Sequence, residues 1–419
     1  MGKAGLYKKQ LFVGTCILAL VLLILELMHS YISASMTSYR SRESPSSLPM
    51  MSTWKRIYQH GSSSKDESEP FIAWGNDAEM QACKPRINLA FVKTHKTGST
   101  TLATIINRFG FSRGLSFIYN KKNSHGHFTE LKLEAERLLP PLCVMDGEYR
   151  KYRDYNLMTA HFRLLPNLNN LKRLMSPNFK IITILREPRA QFESAFSHFG
   201  AGGSMGLHPL ESNSTLAEDL TRFLTNPTFH WNRASGYARW YTRNGQLFDL
   251  ADTLNVDNPD AVSRMVRHLD RILDLVLITE HFDESLVLLR RLMCWDFRDI
   301  LYVTQNARAE QFRSDLTWEQ EARLRSWNMA DSILYDYFNR SLWTKITRYG
   351  PTFQQDLARF RCLLQEYQQT CANGTTVRSR GKRVKVVAAN NLLFCERLVD
   401  ENYETEKLII ERQKGLHSC

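Results

Sequence analysis

No Cys-x-x-Cys pair occurs in the 419 residues, which argues against a structural zinc site. There is no Gly-x-x-x-x-Gly-Lys-Ser/Thr loop, and no acidic strand end paired to one, which counts against a nucleotide kinase. RNP, zinc-finger and helix-turn-helix signatures are missing too, so nucleic acid ranks low as a partner despite a net charge of +12. An anionic nucleotide or an anionic membrane surface is left to explain that charge. Internal repeats are absent. Hydrophobic residues make up 43% of the chain, enough for a substantial core, and the length suits one large α/β domain or two to three smaller ones.

What is present starts at the N-terminus. Lys3, Lys8 and Lys9 precede an apolar run from Leu11 to Leu25, which Glu26 interrupts and Leu27 and Met28 extend. A bilayer needs roughly 17–25 such residues. The run exceeds a usual signal-peptide core, and no clean small-x-small cleavage site follows before Ser33-Ala-Ser35, so an uncleaved anchor is expected over residues 11–28. The lysines put residues 1–10 in the cytosol and the remainder in the lumen. A short anchor suits the thinner membranes of the early secretory pathway. Residues 29–85, rich in Ser, Pro, Met and charge, predict a flexible stem, and residues 86–419 a lumenal domain. Asn-x-Ser/Thr sequons at Asn213, Asn339 and Asn373 agree with a lumenal body. Of eight cysteines, Cys16 lies in the anchor. The other seven would face an oxidising space, where an odd number leaves one free or paired between chains.

The chain is organised around residues 89–102. Leu89 to Val92 form an apolar run suited to a strand buried on both faces. Lys93-Thr-His95-Lys96-Thr97-Gly98 forms a basic turn, and Ser99, Thr100 and Thr101 open a helix carried by Leu102, Ile105, Ile106 and Phe109. Gly98 lets the backbone approach a ligand, and free N–H groups at the helix start point at an anion. This is phosphate-binding architecture with its lysine ahead of the glycine. A second strand–basic turn–helix unit follows. Phe179 to Leu185 runs into Arg186-Glu-Pro-Arg, and a helix spans about 189–199. Two such units predict an α/β fold, a parallel sheet flanked by crossover helices. Further strands are expected over Leu157–Arg163 and Leu273–Thr279. Helices are expected over Glu130–Leu139, Leu168–Met175, after a cap at Asp283, over Trp318–Tyr337 and Leu342–Tyr367, and over Asn402–Gln413.

The strand–Lys-Thr-Gly-Ser-Thr–helix turn resembles the 5′-phosphosulfate loop of sulfotransferases that use 3′-phosphoadenylyl sulfate (PAPS). Phe91-Val-Lys-Thr-His-Lys-Thr-Gly-Ser-Thr-Thr-Leu102 is similar, more narrowly, to the galactose 3-O-sulfotransferase family, whose pattern has Leu, Ala and Ser where this chain has Val92, Gly98 and Thr100. Glu280-His-Phe-Asp-Glu-Ser-Leu-Val-Leu-Leu-Arg-Arg291, Asn306-Ala-Arg308, Trp327-Asn328 and Phe338-Asn-Arg-Ser-Leu-Trp343 extend the resemblance over residues 86–370, beyond which it fades.

The resemblance implies a sulfotransferase fold, laid out like P-loop kinases, behind the anchor in the Golgi membrane. The expected activity moves sulfate from PAPS, with no metal, to the 3-hydroxyl of a galactose-terminated glycolipid or glycan. Lys96 would assist the leaving phosphate. Lys93, Thr97, Gly98, Ser99, Thr100 and Thr101 would line the donor, and Arg186 with Ser194 would bind its 3′-phosphate. His95 is the first choice of base and His161 the second, although Ala160 and Phe162 depart from the family's segment there. Arg163 and Arg308 are expected at the acceptor, and His198 and His281 are expected to be structural. Other readings are sulfation of another glycan position, a lumenal nucleotide kinase, or an inactive carbohydrate-binding relative.

Overall fold

A computed structural model describes residues 83–121, 133–208, 214–253, 257–303, 316–378, 383–388, 393–400 and 403–416. All of them belong to the compact unit Ala73–Cys419. The expected tail, the anchor and nearly all of the stem lie outside the described residues, as do Asn213 and Arg308. Among the described residues no helix is long and apolar enough to cross a membrane.

Four short strands make one parallel sheet in the order β2-β1-β3-β4: β1 Leu89–Val92, β2 Leu157–Met158, β3 Lys180–Leu185 and β4 Leu275–Ile278. All four β1 side chains are fully buried, as are Ile182, Ile184 and Leu185 of β3. Parallel strands covered on both faces need unbroken apolar runs, and each of these side chains larger than Ala90 contributes about 1.5–3 kcal/mol on burial. The chain leaves β1 toward β2 on one side, and leaves β3 toward β4 on the other. The order therefore reverses between β1 and β3, and ligands of open α/β sheets bind at the carboxyl ends of strands at such a point. The Lys96 turn and Arg186 both stand there.

Helix α1, Ser99–Ser112, follows β1, α2, Leu164–Leu174, connects β2 to β3, and α3, Pro188–His198, follows β3. The long connection from α3 to β4 holds a short helix α4, Ala201–Ser204, and then five helices not assigned from the sequence. These are α5 Leu216–Thr225, α6 Pro227–Arg233, α7 Gly236–Tyr241, α8 Gly245–Ala251 and α9 Pro259–Asp270. Their starts carry ordinary signals: a Thr215–Glu218 capping box, Asn226 before Pro227, and Asn258 before Pro259. Helices α10, Phe282–Met293, and α12, Met329–Tyr349, pack beside β4, with α11, Trp318–Trp327, and α13, Phe353–Cys371, completing that flank.

Several expectations shift. The helix over 130–139 is reduced, within the described residues, to a 3-10 turn at Ala135–Arg137. Its backbone pairs instead with the neighbouring segment, Lys121 N donating to Arg137 O and Leu139 N to Tyr119 O. Asp283 does not cap α10, because His281 holds that position. The Asp283 carboxylate, in the first turn, accepts from Tyr302 and Arg361. The two long helices expected over 318–367 are three, broken at Asn328 and at Gly350, whose φ of 95° a helix cannot hold.

The tail forms a hairpin, β5 Ala372–Arg378 with β6 Arg383–Ala388, then α14 Leu393–Val399 and α15 Tyr403–Gly415. Gln413 locks α15 onto the body: its amide donates to Phe117 O and Pro140 O and accepts from Phe117 N. Disulfides join Cys83 to Cys294 and Cys371 to Cys395; Cys143 is also disulfide-bonded, and Cys362 is free and exposed.

Candidate active site

The turn after β1 is wound tightly by its own hydroxyls. Thr94 Oγ1 donates to Ile184 O at 2.5 Å on the neighbouring strand, and Thr97 Oγ1 lies 2.8 Å from it. Ser99 Oγ donates to Thr94 O at 2.6 Å, and Thr279, just past β4, donates to Thr97 O at 2.6 Å. The Thr97 and Ser99 hydroxyls, both buried, are thus committed to holding the loop. What the loop can offer a ligand is backbone N–H groups at the start of α1 and the half-exposed Thr100. Thr101 is buried, and its amide donates to Gly98 O. Gly98 has φ 73° and Lys96 φ 64°, so a left-handed lysine sits two residues before a left-handed glycine. A non-glycine residue in that region is uncommon and strained, and such strain clusters at functional sites.

The second basic turn reaches the first directly: Arg186 Nη1 donates to Lys96 O at 3.3 Å. Gln246 clamps the Arg186 backbone on both sides, accepting from its N at 2.8 Å and donating to its O at 2.9 Å. Ser194 lies on α3, half-buried, and Arg189 of the same helix pairs with Glu321 at 3.4 Å.

His95 is held from every side. Asp249 Oδ2 accepts from its backbone N at 2.7 Å and from Nδ1 at 2.9 Å. Because a carboxylate only accepts, Nδ1 carries the proton and Nε2 is the basic nitrogen. The imidazole is sandwiched between the ring of His161, 3.8 Å between centroids, and that of Tyr241, 3.9 Å. His161 Nδ1 donates to Lys93 O at 2.8 Å, so its tautomer is fixed the same way. His161 and His95 are both mostly buried.

Asp249 also accepts from Arg163 Nη1 and from Tyr241 OH, each at 3.2 Å. Burial, with the Asp249 charge adding to it, pushes the Tyr241 phenol well above its ordinary range. Arg163 was expected at the acceptor and takes a different position. It is buried, bonded to Asp249 and Tyr241, paired with Asp252 at 3.3 Å, and stacked 3.8 Å over Phe248. Its charge neutralises the buried carboxylate that orients His95.

One short helix therefore aligns both basic turns. On α8, Gln246 holds Arg186 and, three residues on, Asp249 holds His95. The helix is itself anchored, with Gln246 N and Leu247 N donating to the buried carboxylate of Asp331. Burial raises the Asp331 carboxyl to about 7 in spite of those two bonds. Asp249 and Gln246 escaped the sequence reading; the one available signal was the pair of buried polar positions in the otherwise apolar Gly245-Gln-Leu-Phe-Asp-Leu-Ala251.

The Lys93 ammonium has Glu406 of α15 as a charged neighbour. Burial lowers its pKa and Glu406 of α15 opposes the shift; Glu406 in turn is raised by burial to about 7. Of the sequons, Asn339 lies inside α12, half-buried, with Oδ1 sealed from solvent, and Asn373 lies in β5. His281 packs edge-on against Trp343, and His198 against Phe199. Among the described residues no group of three or more His, Cys, Asp or Glu is arranged to hold a metal ion.

Comparison with known proteins bears on this geometry. Residues 5–386 match the family model described as galactose-3-O-sulfotransferase. Galactosylceramide sulfotransferase of Bos taurus is 32% identical over 308 residues, covering 73% of this chain and 69% of its own. The Homo sapiens protein of that name is 34% identical over 295 residues, or 70% and 66%. Galactose-3-O-sulfotransferase 3 of Mus musculus is 33% identical over 266 residues, or 62% and 58%.

Proposed function

The chain belongs to the galactose-3-O-sulfotransferase family, and from that footing we propose that it moves a sulfuryl group from PAPS to the 3-hydroxyl of a galactose on a glycolipid or a protein-linked glycan. The observation that carries this reading is the adjacency of two functions in one turn. Lys96 faces the demands of a leaving phosphate, and His95, oriented by Asp249, can take a proton.

The acceptor hydroxyl gives its proton to His95 Nε2 as its oxygen bonds to sulfur. The bond from sulfur to the bridging phosphate oxygen breaks, and the charge growing on that oxygen is met by the Lys96 ammonium and the α1 amides. Asp249 accepts from Nδ1 and faces the imidazolium as it forms; Arg163 pairs with Asp249 from the other side. Arg186 and Ser194 hold the 3′-phosphate of the donor, and the bond from Arg186 to the Lys96 carbonyl ties that contact to the turn, the positioning that group transfer needs. His161 supports the His95 ring by stacking on it.

We place the protein in the Golgi membrane, anchored by residues 11–28 with its catalytic unit lumenal. Support comes from the N-terminal lysines, the apolar run and the disulfides, which persist in oxidising compartments. The test is transfer of labelled sulfate from PAPS to galactosylceramide and to galactose-terminated glycans by the full chain in detergent. Product sulfated at the 3-position supports the proposal; movement of ATP's γ-phosphate instead overturns it.

A further inference from the structure

An exposed aromatic ring stands beside the base and has no part in the chemistry above. Tyr237, the second residue of α7, is 41% exposed, although its ring centroid is only 6.4 Å from that of buried His95. Its plane is braced by neighbouring rings. Phe199 stacks on it at 5.4 Å and 15°, and Tyr241 lies 6.0 Å away at 18°, so three rings stand nearly parallel. Trp240 closes one edge at 5.4 Å and 68°. The His95 ring is tilted 47° from that of Tyr237 and stacks, at 3.9 Å and 29°, on Tyr241 of the same cluster, so the base borders the platform through Tyr241.

A flat, braced and water-facing ring is a surface for an apolar face that is itself edged with hydroxyls. We propose that Tyr237, backed by Phe199 and Tyr241, is the acceptor platform, on which the apolar face of the galactose ring lies during transfer. This rests on the sulfotransferase reading above. In β-galactose the axial 4-hydroxyl leaves C3–H, C4–H and C5–H together on one face, whereas the equatorial 4-hydroxyl of glucose breaks that patch. The 3-hydroxyl is equatorial and leaves the ring sideways. A galactose lying on Tyr237 therefore directs it toward a base at the platform's edge, where His95 is. Tyr237 thereby selects the acceptor sugar and takes no part in proton transfer.

The rival occupant of such a ring is the adenine of the donor, since Phe199 follows directly on the helix that carries Ser194. The test uses the full chain with PAPS, methyl β-galactoside and methyl β-glucoside, and it titrates adenosine 3′,5′-bisphosphate separately. Tyr237→Ala should raise KM for the galactoside about tenfold, close to 1.4 kcal/mol, with kcat within about threefold and nucleotide affinity unchanged. It should also narrow the preference for galactoside over glucoside, and Tyr237→Phe should restore both. An unchanged galactoside KM in Tyr237→Ala, or a loss of nucleotide affinity instead, overturns the platform while leaving the sulfotransferase reading intact. A wild-type chain that sulfates no galactoside overturns both.

Discussion

Asp249 meets His95 twice, through its backbone amide at 2.7 Å and through Nδ1 at 2.9 Å, across 154 residues of sequence. One carboxylate thereby fixes the position of the turn and the tautomer of its histidine together. Asp249→Asn should lower kcat by at least about 100-fold, the scale of a disabled general base, while nucleotide binding survives. It should also cost about 1–3 kcal/mol of stability, because buried Arg163 loses one of its two carboxylate partners and keeps Asp252. Tyr241→Phe removes the hydroxyl's two hydrogen bonds, from Arg163 and to Asp249, and keeps the ion pair, so its cost should stay near 1–2 kcal/mol. Steady-state kinetics and urea denaturation of the two variants check this; a fully active Asp249→Asn would refute the role.

Lys96 combines a left-handed backbone with the side chain proposed to meet the leaving phosphate, and two substitutions separate these. Lys96→Ala and Lys96→Gly should both abolish turnover. The glycine variant should be the more stable by about 1 kcal/mol, because φ 64° costs glycine nothing. Thermal denaturation at equal pH reads that difference, and equal stabilities would mean that no strain is stored there.

The α8 anchor makes stability depend on pH. Asp331 titrates near 3.8 unfolded and about 7 folded, so its protonated form is favoured by folding. Its contribution is complete below pH 3.8 and disappears as pH rises through 7. At 1.36 kcal/mol per unit, the wild type should lose about 2–3 kcal/mol relative to Asp331→Asn between pH 5 and 8. Denaturant titrations of both proteins at matched pH measure the slope, and parallel curves would contradict the assignment.

The sheet and both basic turns, in which Lys96, His95 and Arg186 sit, are legible in the sequence because each is announced by neighbours: an apolar strand, a small-residue turn and a helical period within a dozen residues. It did not reach Asp249, Gln246 or Tyr237. These arrive on α7 and α8, two helices of six and seven residues, too short for a period to register. Arg163 was expected at the acceptor, and its bond to Asp249 went unread, since nothing local announces a carboxylate 86 residues later. Asp283 was read as a cap on local grounds, and tertiary bonds to Tyr302 and Arg361 claimed it instead.

The Cys83–Cys294 bond closes a loop of 211 residues around the sheet, next to Arg86 N donating to Met293 O at 2.8 Å. Cys83→Ser should lower stability by about 2–5 kcal/mol. Denaturation under non-reducing conditions tests it, with Cys362→Ser, at an exposed free thiol, as the control expected to change little.

The central claim is that a single turn binds the donor's phosphosulfate and activates the acceptor's hydroxyl. Its most direct test follows labelled sulfate from PAPS to methyl β-galactoside and to its 3-deoxy analogue, with wild type, Lys96→Ala and His95→Ala. Label should appear on the galactoside with wild type alone and never on the 3-deoxy sugar. Transfer to the 3-deoxy sugar, or undiminished transfer by either variant, would contradict the account.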